Sequence, residues 1–217
     1  MTIELSKNSK LIPSFKSEKL LFTRGFRYIA GIDEVGRGAL AGPVVAVAVI
    51  LPMKRKLENL NGVRDSKELT PAKREYLNKL IQEVAIAIGV GVISPQIIDA
   101  VNILNATRLA MHEAVKKLSP KPDYLLIDGM TLPKILIAQQ AIIKGDKSCL
   151  SIACASIVAK VTRDQIMIEL GNDYPDYGFQ QHKGYGTRSH FECINRLGPT
   201  PVHRYSFSPV RNMAKFI

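Results

Sequence analysis

"RYIAGIDEVGRGALAGPVVAVAVIL", Arg27 to Leu51, sets two apolar runs on either side of a glycine-punctuated connection. "RYIAGID" and "PVVAVAVIL" read as strands, each short and rich in β-branched residues. The connection is too short to carry a parallel crossover, so the two strands are expected to be antiparallel. Asp33 and Glu34 stand where the first strand gives way to the turn. A turn needs only one such residue. The second carboxylate raises the choice between a solvated turn and half of a metal site.

Working outward, "LTPAKREYLNKLIQEVA" predicts a helix with Thr70 as N-cap and Pro71 at its first position. Leu77, Leu80, Ile81 and Val84 share one face of it. "VAIAIGVGVIS" returns to strand character, and "SPQIIDAVNILNATRLAMHEAVKKL" predicts a helix from the cap Ser94 through Leu118. "DYLLIDG" and "AQQAIIKGD" read as further strands. "KSCLSIACASIVAKVTRDQIMIEL" predicts a helix whose small residues suit close packing on a sheet, and "RSHFECINRLG" a short helix in a turn-rich tail. Residues 1 to about 25 read as a polar lead-in, with order starting near Arg27. The resulting order of strand, strand, helix, strand, helix, strand, strand, helix is α/β with a mixed sheet, the later strands joining in parallel.

A chain of 217 residues, 46% hydrophobic, suffices for one substantial core, so a single domain over 1–217 is the expectation. The net charge of +11 favours a polyanionic partner. Cys149, Cys154 and Cys193 form no C-x-x-C pair and read as buried small residues in a reduced, cytoplasmic setting. No apolar run approaches the roughly 18 residues of a membrane span, and the charged N-terminal stretch does not resemble a signal peptide.

Four acids follow apolar sheet residues: Asp33 and Glu34, Asp128 in "LLIDG", and Asp146 in "IIKGD". Projected from neighbouring strand ends they would meet at one sheet edge, where like charges are costly unless protonated or bridged by a cation. Ligand oxygens without paired His or Cys suit Mg²⁺ or Mn²⁺, and two such ions serve in-line displacement at a phosphodiester. Each acid also fits a plainer role. Asp128 before Gly129 suits a turn, Asp146 before Lys147 a helix cap, and Asp164 beside Arg163 a surface ion pair.

The blocks "AGIDEVGRGALAGPVVAVAVIL", "DSKELTPAKRE", "LLIDG", "IIKGD", "SIACASIVAKVTRD", "YGFQQHKGYGT" and "GPTPVHRYSFSPV" together resemble, in order, the signature blocks of ribonuclease HII. The resemblance runs from about Leu20 to Val210. It implies a ribonuclease H-like fold with a five-stranded mixed sheet flanked by helices, and a small C-terminal helical extension over about 172–217. It also implies a two-metal Mg²⁺ or Mn²⁺ endonuclease. The expected substrates are RNA/DNA hybrids and duplex DNA with an embedded ribonucleotide, nicked 5′ of the ribonucleotide to leave 3′-hydroxyl and 5′-phosphate ends. Such an enzyme would remove misincorporated ribonucleotides and RNA primers, and is expected as a monomer.

On this resemblance Asp33, Glu34, Asp128 and Asp146 fall on the family's metal-binding carboxylates. Gly36, Arg37 and Gly38 fall on its glycine-arginine-glycine motif, and Tyr185 on the tyrosine that reads the ribonucleotide–deoxyribonucleotide junction. Val35 and Ala39 stand where many relatives carry alanine and proline, and Cys154 interrupts an alanine run. Ribonuclease HIII looks for a glycine-lysine-glycine turn, so Arg37 argues against it.

The glycines would let backbone approach the minor groove, where the 2′-hydroxyl distinguishes RNA from DNA. Arg37 and Lys67 are read as phosphate ligands, Lys67 equally fitting a solvated loop, with Lys183, Arg188, His203 and Arg204 able to extend the basic track, although His182 and His203 also fit as ordinary hydrogen-bonded loop residues. The competing class is a nucleic-acid-binding module whose acids form only turns. A pure phosphate binder, however, gains nothing from four acids at its binding face.

Overall fold

The computed structural model describes residues 12–53 and 57–213. Five strands, β1 (Ile29–Val35), β2 (Val44–Ile50), β3 (Ala87–Ile93), β4 (Tyr124–Asp128) and β5 (Ala138–Ile142), form one sheet in the order β3-β2-β1-β4-β5. The pairs β1–β2 and β2–β3 are antiparallel, and β1–β4 and β4–β5 are parallel. The sheet is thus mixed as expected, with β1 at its centre and β2, between β3 and β1, fully buried.

Helices cover both faces. The even-numbered residues of β2 pack with α4 (Ile103–Lys116), and the odd-numbered ones pack with α2 (Pro71–Val84) and α6 (Leu150–Asp173). This division follows from the period of two along a strand and explains why Val44 to Ile50 is apolar throughout. Thr70 caps α2 through its hydroxyl, with Pro71 in the first turn. Leu77 and Ile81 are buried on its inner face, and Leu80 and Val84 are partly buried there.

Two predicted boundaries shift. The helix expected from Ser94 through Leu118 is broken at Asn102, whose φ of 66° ends α3 (Pro95–Val101) and whose side chain accepts from the Asn105 N–H to cap α4. Order also begins before Arg27. Helix α1 (Lys16–Thr23) packs on the core, and Glu18, 1% exposed, accepts from the Ser151 N–H at 2.8 Å in the first turn of α6. A carboxylate at that end favourably meets the unsatisfied N–H groups of a 24-residue helix. Residues 1–11 of the expected lead-in lie outside the described residues.

The remaining helices are α5 (Gly145–Ser148), α7 (Phe179–His182), α8 (Arg188–Leu197) and α9 (Val210–Met213). Cys149 and Cys154 are buried free thiols, whereas Cys193 is only half-buried, at the edge of the cluster formed by Ala41, Met167, Tyr177 and Phe179. Among the described residues no helix is long and apolar enough to cross a membrane.

Helix α6 comes close to the sheet at Gly31 of β1, where an added Cβ would lie 2.3 Å from the Ser151 carbonyl carbon. The Ile152 backbone nitrogen and the Ser151 hydroxyl lie as near, at 2.4 Å, and because backbone is among these neighbours the helix must move if glycine is replaced. Gly31→Ala is expected to destabilise the fold by about 1–3 kcal/mol, as overpacking does. Urea denaturation checks this, and a variant matching the parent would mean that α6 is not held by this contact.

Candidate active site

Asp33 and Glu34 are consecutive residues near the end of β1, so they point to opposite faces of the strand. Asp128 ends β4, and the parallel register that pairs Ile32 with Ile127 carries Asp33 alongside Asp128 one step further on. Asp146 arrives differently. No strand ends in it; it sits in the single turn α5 after β5, between Gly145 and Lys147. The Asp128 carboxylate accepts from the Gly145 N–H at 2.7 Å and so tethers that turn to the strand end.

All four acids line one cleft of about 340 Å³, together with Ser66, Lys67, Ser156, Lys160 and Tyr185. A larger hollow of about 460 Å³ lies between α1 and residues 57–63, but among the described residues Glu58 is the one acid in its lining and it gathers no acidic cluster. Chemistry, not size, selects the acidic cleft.

Burial pushes the Asp33 carboxyl well above the usual range, and the neighbouring Glu34 and Asp128 push it further. Burial also raises Glu34, against the opposing pull of the Arg37 guanidinium 3.1 Å away. Asp146 is raised by burial, then by Asp65 and Asp128, with Lys67 and Lys147 opposing. Gathered carboxylates of this kind hold protons or a cation. Glu34 Oε2 is moreover buried without any hydrogen-bond partner. An orphan anionic oxygen among other carboxylate oxygens fits a hard divalent cation. Among the described residues no three acidic, histidine or cysteine side chains are already closed into a ligand set, so the acids share a cleft rather than a finished cage.

The turn after β1 is held from inside by two arginines that are 0% exposed. Arg163 of α6 donates to the carbonyls of Pro43 at 2.9 Å, Ala41 at 3.1 Å and Lys183 at 2.9 Å. Arg204 donates to the Gly42 carbonyl at 2.9 and 3.0 Å and to the Arg37 carbonyl at 2.9 Å. Burial pulls the Arg204 guanidinium down to about 9, and lowers Arg163 as well. Gly36 is required beside Arg163: its φ is +91°, and a Cβ there would lie 2.2 Å from Arg163 Nε. Gly38 differs, with nothing within 4 Å of its added Cβ. Arg37 and Gly38 are both exposed on the outside of the turn.

Tyr185 follows the tight turn Lys183–Gly184, both at positive φ, and its ring lies near the Arg163 guanidinium at 5.2 Å and Lys160 Nζ at 5.9 Å. Lys67 is exposed at the cleft, its N–H bonded to Asp65 at 2.9 Å. Other expectations change. Asp164 pairs with Lys160 at 2.6 Å, not with Arg163, which points inward instead. His203 and Arg204 are buried and do not extend a surface track, while exposed Arg188 pairs with Glu192.

Ser66, Ser156 and Lys160 are cleft residues that motif reading overlooked. The spacing of Ser156 and Lys160, four apart on α6, was the available signal.

A mixed sheet whose central parallel strand ends carry buried acids is the architecture of the ribonuclease H class. The family model for ribonuclease HII matches residues 30–210. The chain is 52% identical over 203 residues to ribonuclease HII of Dehalococcoides mccartyi, covering 94% of this chain and 96% of that one. It is 58% identical over 188 residues to ribonuclease HII of Geobacter sulfurreducens, covering 87% and 85%. The crystal structure of ribonuclease H2 from Pyrococcus horikoshii superimposes with a TM-score of 0.72 at 28% identity, covering 87% of this chain and 97% of that one. The chain belongs to the ribonuclease HII family.

The turn's dependence on a planar, multiply donating cation is testable. Lysine at 163 keeps the charge but cannot reach three carbonyls in a fork. Arg163→Lys should lose at least about 2 kcal/mol in urea denaturation, since buried carbonyls go unpaired. A loss below about 0.5 kcal/mol, the range of surface substitutions, would contradict the clamp.

Proposed function

We propose that this chain is a divalent-metal-dependent endonuclease that hydrolyses the RNA strand of RNA/DNA hybrids and nicks duplex DNA 5′ of a single embedded ribonucleotide, leaving 3′-hydroxyl and 5′-phosphate ends. The observation that carries the reading is the meeting of four acids, two lysines and Tyr185 in one cleft of a chain with net charge +11. Removal of misincorporated ribonucleotides and of RNA primers is the role that follows. The reading extends to a monomer working in the cytoplasm, a setting that its free thiols fit.

Asp33, Glu34, Asp128 and Asp146 would hold Mg²⁺ or Mn²⁺. Bound there, two such ions would supply Lewis-acid polarisation of the phosphate and neutralise charge on the attacking and leaving oxygens. Lys67 and Lys160 would place the phosphates by charge-assisted hydrogen bonds, and Arg37 would contact the backbone from the exposed side of the turn. Gly36, Arg37 and Gly38 would present backbone groups to the 2′-hydroxyl. Tyr185 would stack on the sugar beyond the scissile phosphate. Residues from about 172 to 217 would serve as the substrate-binding extension of the catalytic domain.

Asp128→Asn removes an anionic ligand and a repulsion toward phosphate in one step. Cleavage of a duplex carrying one ribonucleotide should fall by about a hundredfold or more, while binding of that duplex stays equal or tightens. A folded variant that cuts at the parental rate would overturn the metal-site assignment.

Tyr185→Ala separates reading from chemistry. Stacking worth about 1–3 kcal/mol should be lost at a lone ribonucleotide, a fall of about tenfold or more, with a smaller loss within continuous RNA. Equal fractional losses on the two substrates, assayed at matched metal and salt, would assign Tyr185 to general support.

A further inference from the structure

Three of the four histidines, His182, His190 and His203, are buried together behind Tyr185. The rings of His182 and His190 stack with centroids 4.2 Å apart, and the Phe179 ring packs against all three. The cleft chemistry described above does not use them.

Their hydrogen bonds settle where each proton lies, because a backbone N–H can only donate and a carbonyl can only accept. The Thr200 N–H donates to His203 Nδ1 at 2.9 Å, so the His203 proton is on Nε2. That Nε2 lies 3.1 Å from His190 Nε2, which must therefore accept. The His190 proton is then on Nδ1, where it donates to the Tyr185 carbonyl at 3.0 Å. Read from the Tyr185 end, the same assignment results. His182 is fixed independently: the Gly184 N–H donates to its Nδ1 at 3.1 Å, and its Nε2–H donates to the Tyr177 carbonyl at 2.7 Å.

We propose that His203 and His190 form a neutral, single-tautomer relay that positions Tyr185 at the acidic cleft, making His190 a positioning residue for substrate selectivity. The inference rests on the reading of Tyr185 as the residue that faces the ribonucleotide junction. Charging either ring would set two N–H groups against each other across the 3.1 Å contact. Burial agrees with neutrality, pulling both His190 and His203 down to about 4.

Tyr185 needs such a hold because it follows two residues at positive φ, Lys183 and Gly184. Its own N–H donates to the His182 carbonyl at 2.9 Å, and its carbonyl also accepts from the Thr187 N–H at 2.8 Å. Thr187 caps α8, and His190 lies in the first turn of that helix. The helix start and the relay therefore converge on one peptide group. Losing the His190 donor would leave the ring's cleft position supported by fewer contacts, without touching any of the four acids.

The test has two arms. In the parental protein at neutral pH, ¹⁵N-edited NMR of the imidazoles should show His190 as the Nδ1–H tautomer and His182 and His203 as Nε2–H. A charged His190, or its Nε2–H tautomer, overturns the relay. In the second arm, His190→Leu and His190→Asn are compared on a duplex with one ribonucleotide and on a continuous RNA/DNA hybrid. Asparagine can place an N–H near the position of Nδ1, and leucine cannot.

The ratio of lone-ribonucleotide to hybrid cleavage should fall about tenfold in the leucine variant, as expected for lost stacking, and recover at least in part in the asparagine variant. Equal losses on both substrates in a folded leucine variant overturn the positioning role. If leucine does not fold, His190→Gln, whose longer side chain moves the N–H away from the Nδ1 position, takes its place: a ratio below that of the asparagine variant supports the positioning role, and equal ratios in the two overturn it. A parental protein that cuts neither substrate fails the functional reading itself, and the tautomer pattern then decides the relay alone.

Discussion

The parallel pairing of β1 with β4 is the constraint on which the site depends. It forces Asp33 and Asp128 to emerge side by side from the middle of the sheet, where burial limits solvation of the Asp33 charge. Because consecutive strand residues face opposite ways, the doublet Asp33–Glu34 puts a carboxylate on each side of the same strand end. That geometry answers why two acids stand where a turn needs one. Concentrating like charges in this way costs stability, the common exchange between stability and function.

The glycine-rich turn is the second half of the construction, and it is organised from within. Arg163 and Arg204 carry their charge into the interior and distribute it over backbone carbonyls of the turn and of Lys183. No carboxylate is among these partners. The positive ends of the two guanidiniums orient the carbonyls inward, which leaves Arg37 and Gly38 on the exposed side. Tyr185 lies above Arg163, so the turn and the tyrosine loop share one support. The histidine relay adds a second hold on the same loop from the α8 side.

Much of the architecture was legible because it is written in local rules. Short apolar runs, β-branched in the first two, marked the five strands, the brief connection the antiparallel first pair, and Thr70 with Pro71 the start of α2. The break at Asn102 was not legible, since an asparagine within an amphipathic pattern gives no notice that it will adopt positive φ and cap a new helix. Helix α1 was missed because its stabilising contact is a buried Glu18 against the α6 terminus, a long-range pairing that a polar composition disguises. The acids at strand ends were readable as a group, yet Asp146 comes from a helical turn, and its place depends on a tether to Asp128 that no spacing reveals. Arg163, Arg204 and His203 were the hardest to place. A charged or titratable residue reads as surface until the carbonyls that surround it are known.

A cation site at the like-charged strand ends would make the stability of the fold depend on metal. The most direct measurement of that dependence is the melting temperature of the parental protein and of the double variant Asp33→Asn/Asp128→Asn, titrated with Mg²⁺ and with Mn²⁺. A ligand that binds only the folded state stabilises it by about 2.7 kcal/mol at a hundredfold excess over Kd. For a chain of this size that corresponds to a rise of about 5 °C or more. A cation site predicts such a saturating rise in the parent, no rise in the double variant, and a metal-free double variant that melts at or above the metal-free parent. A parental melting temperature that neither ion moves would contradict it.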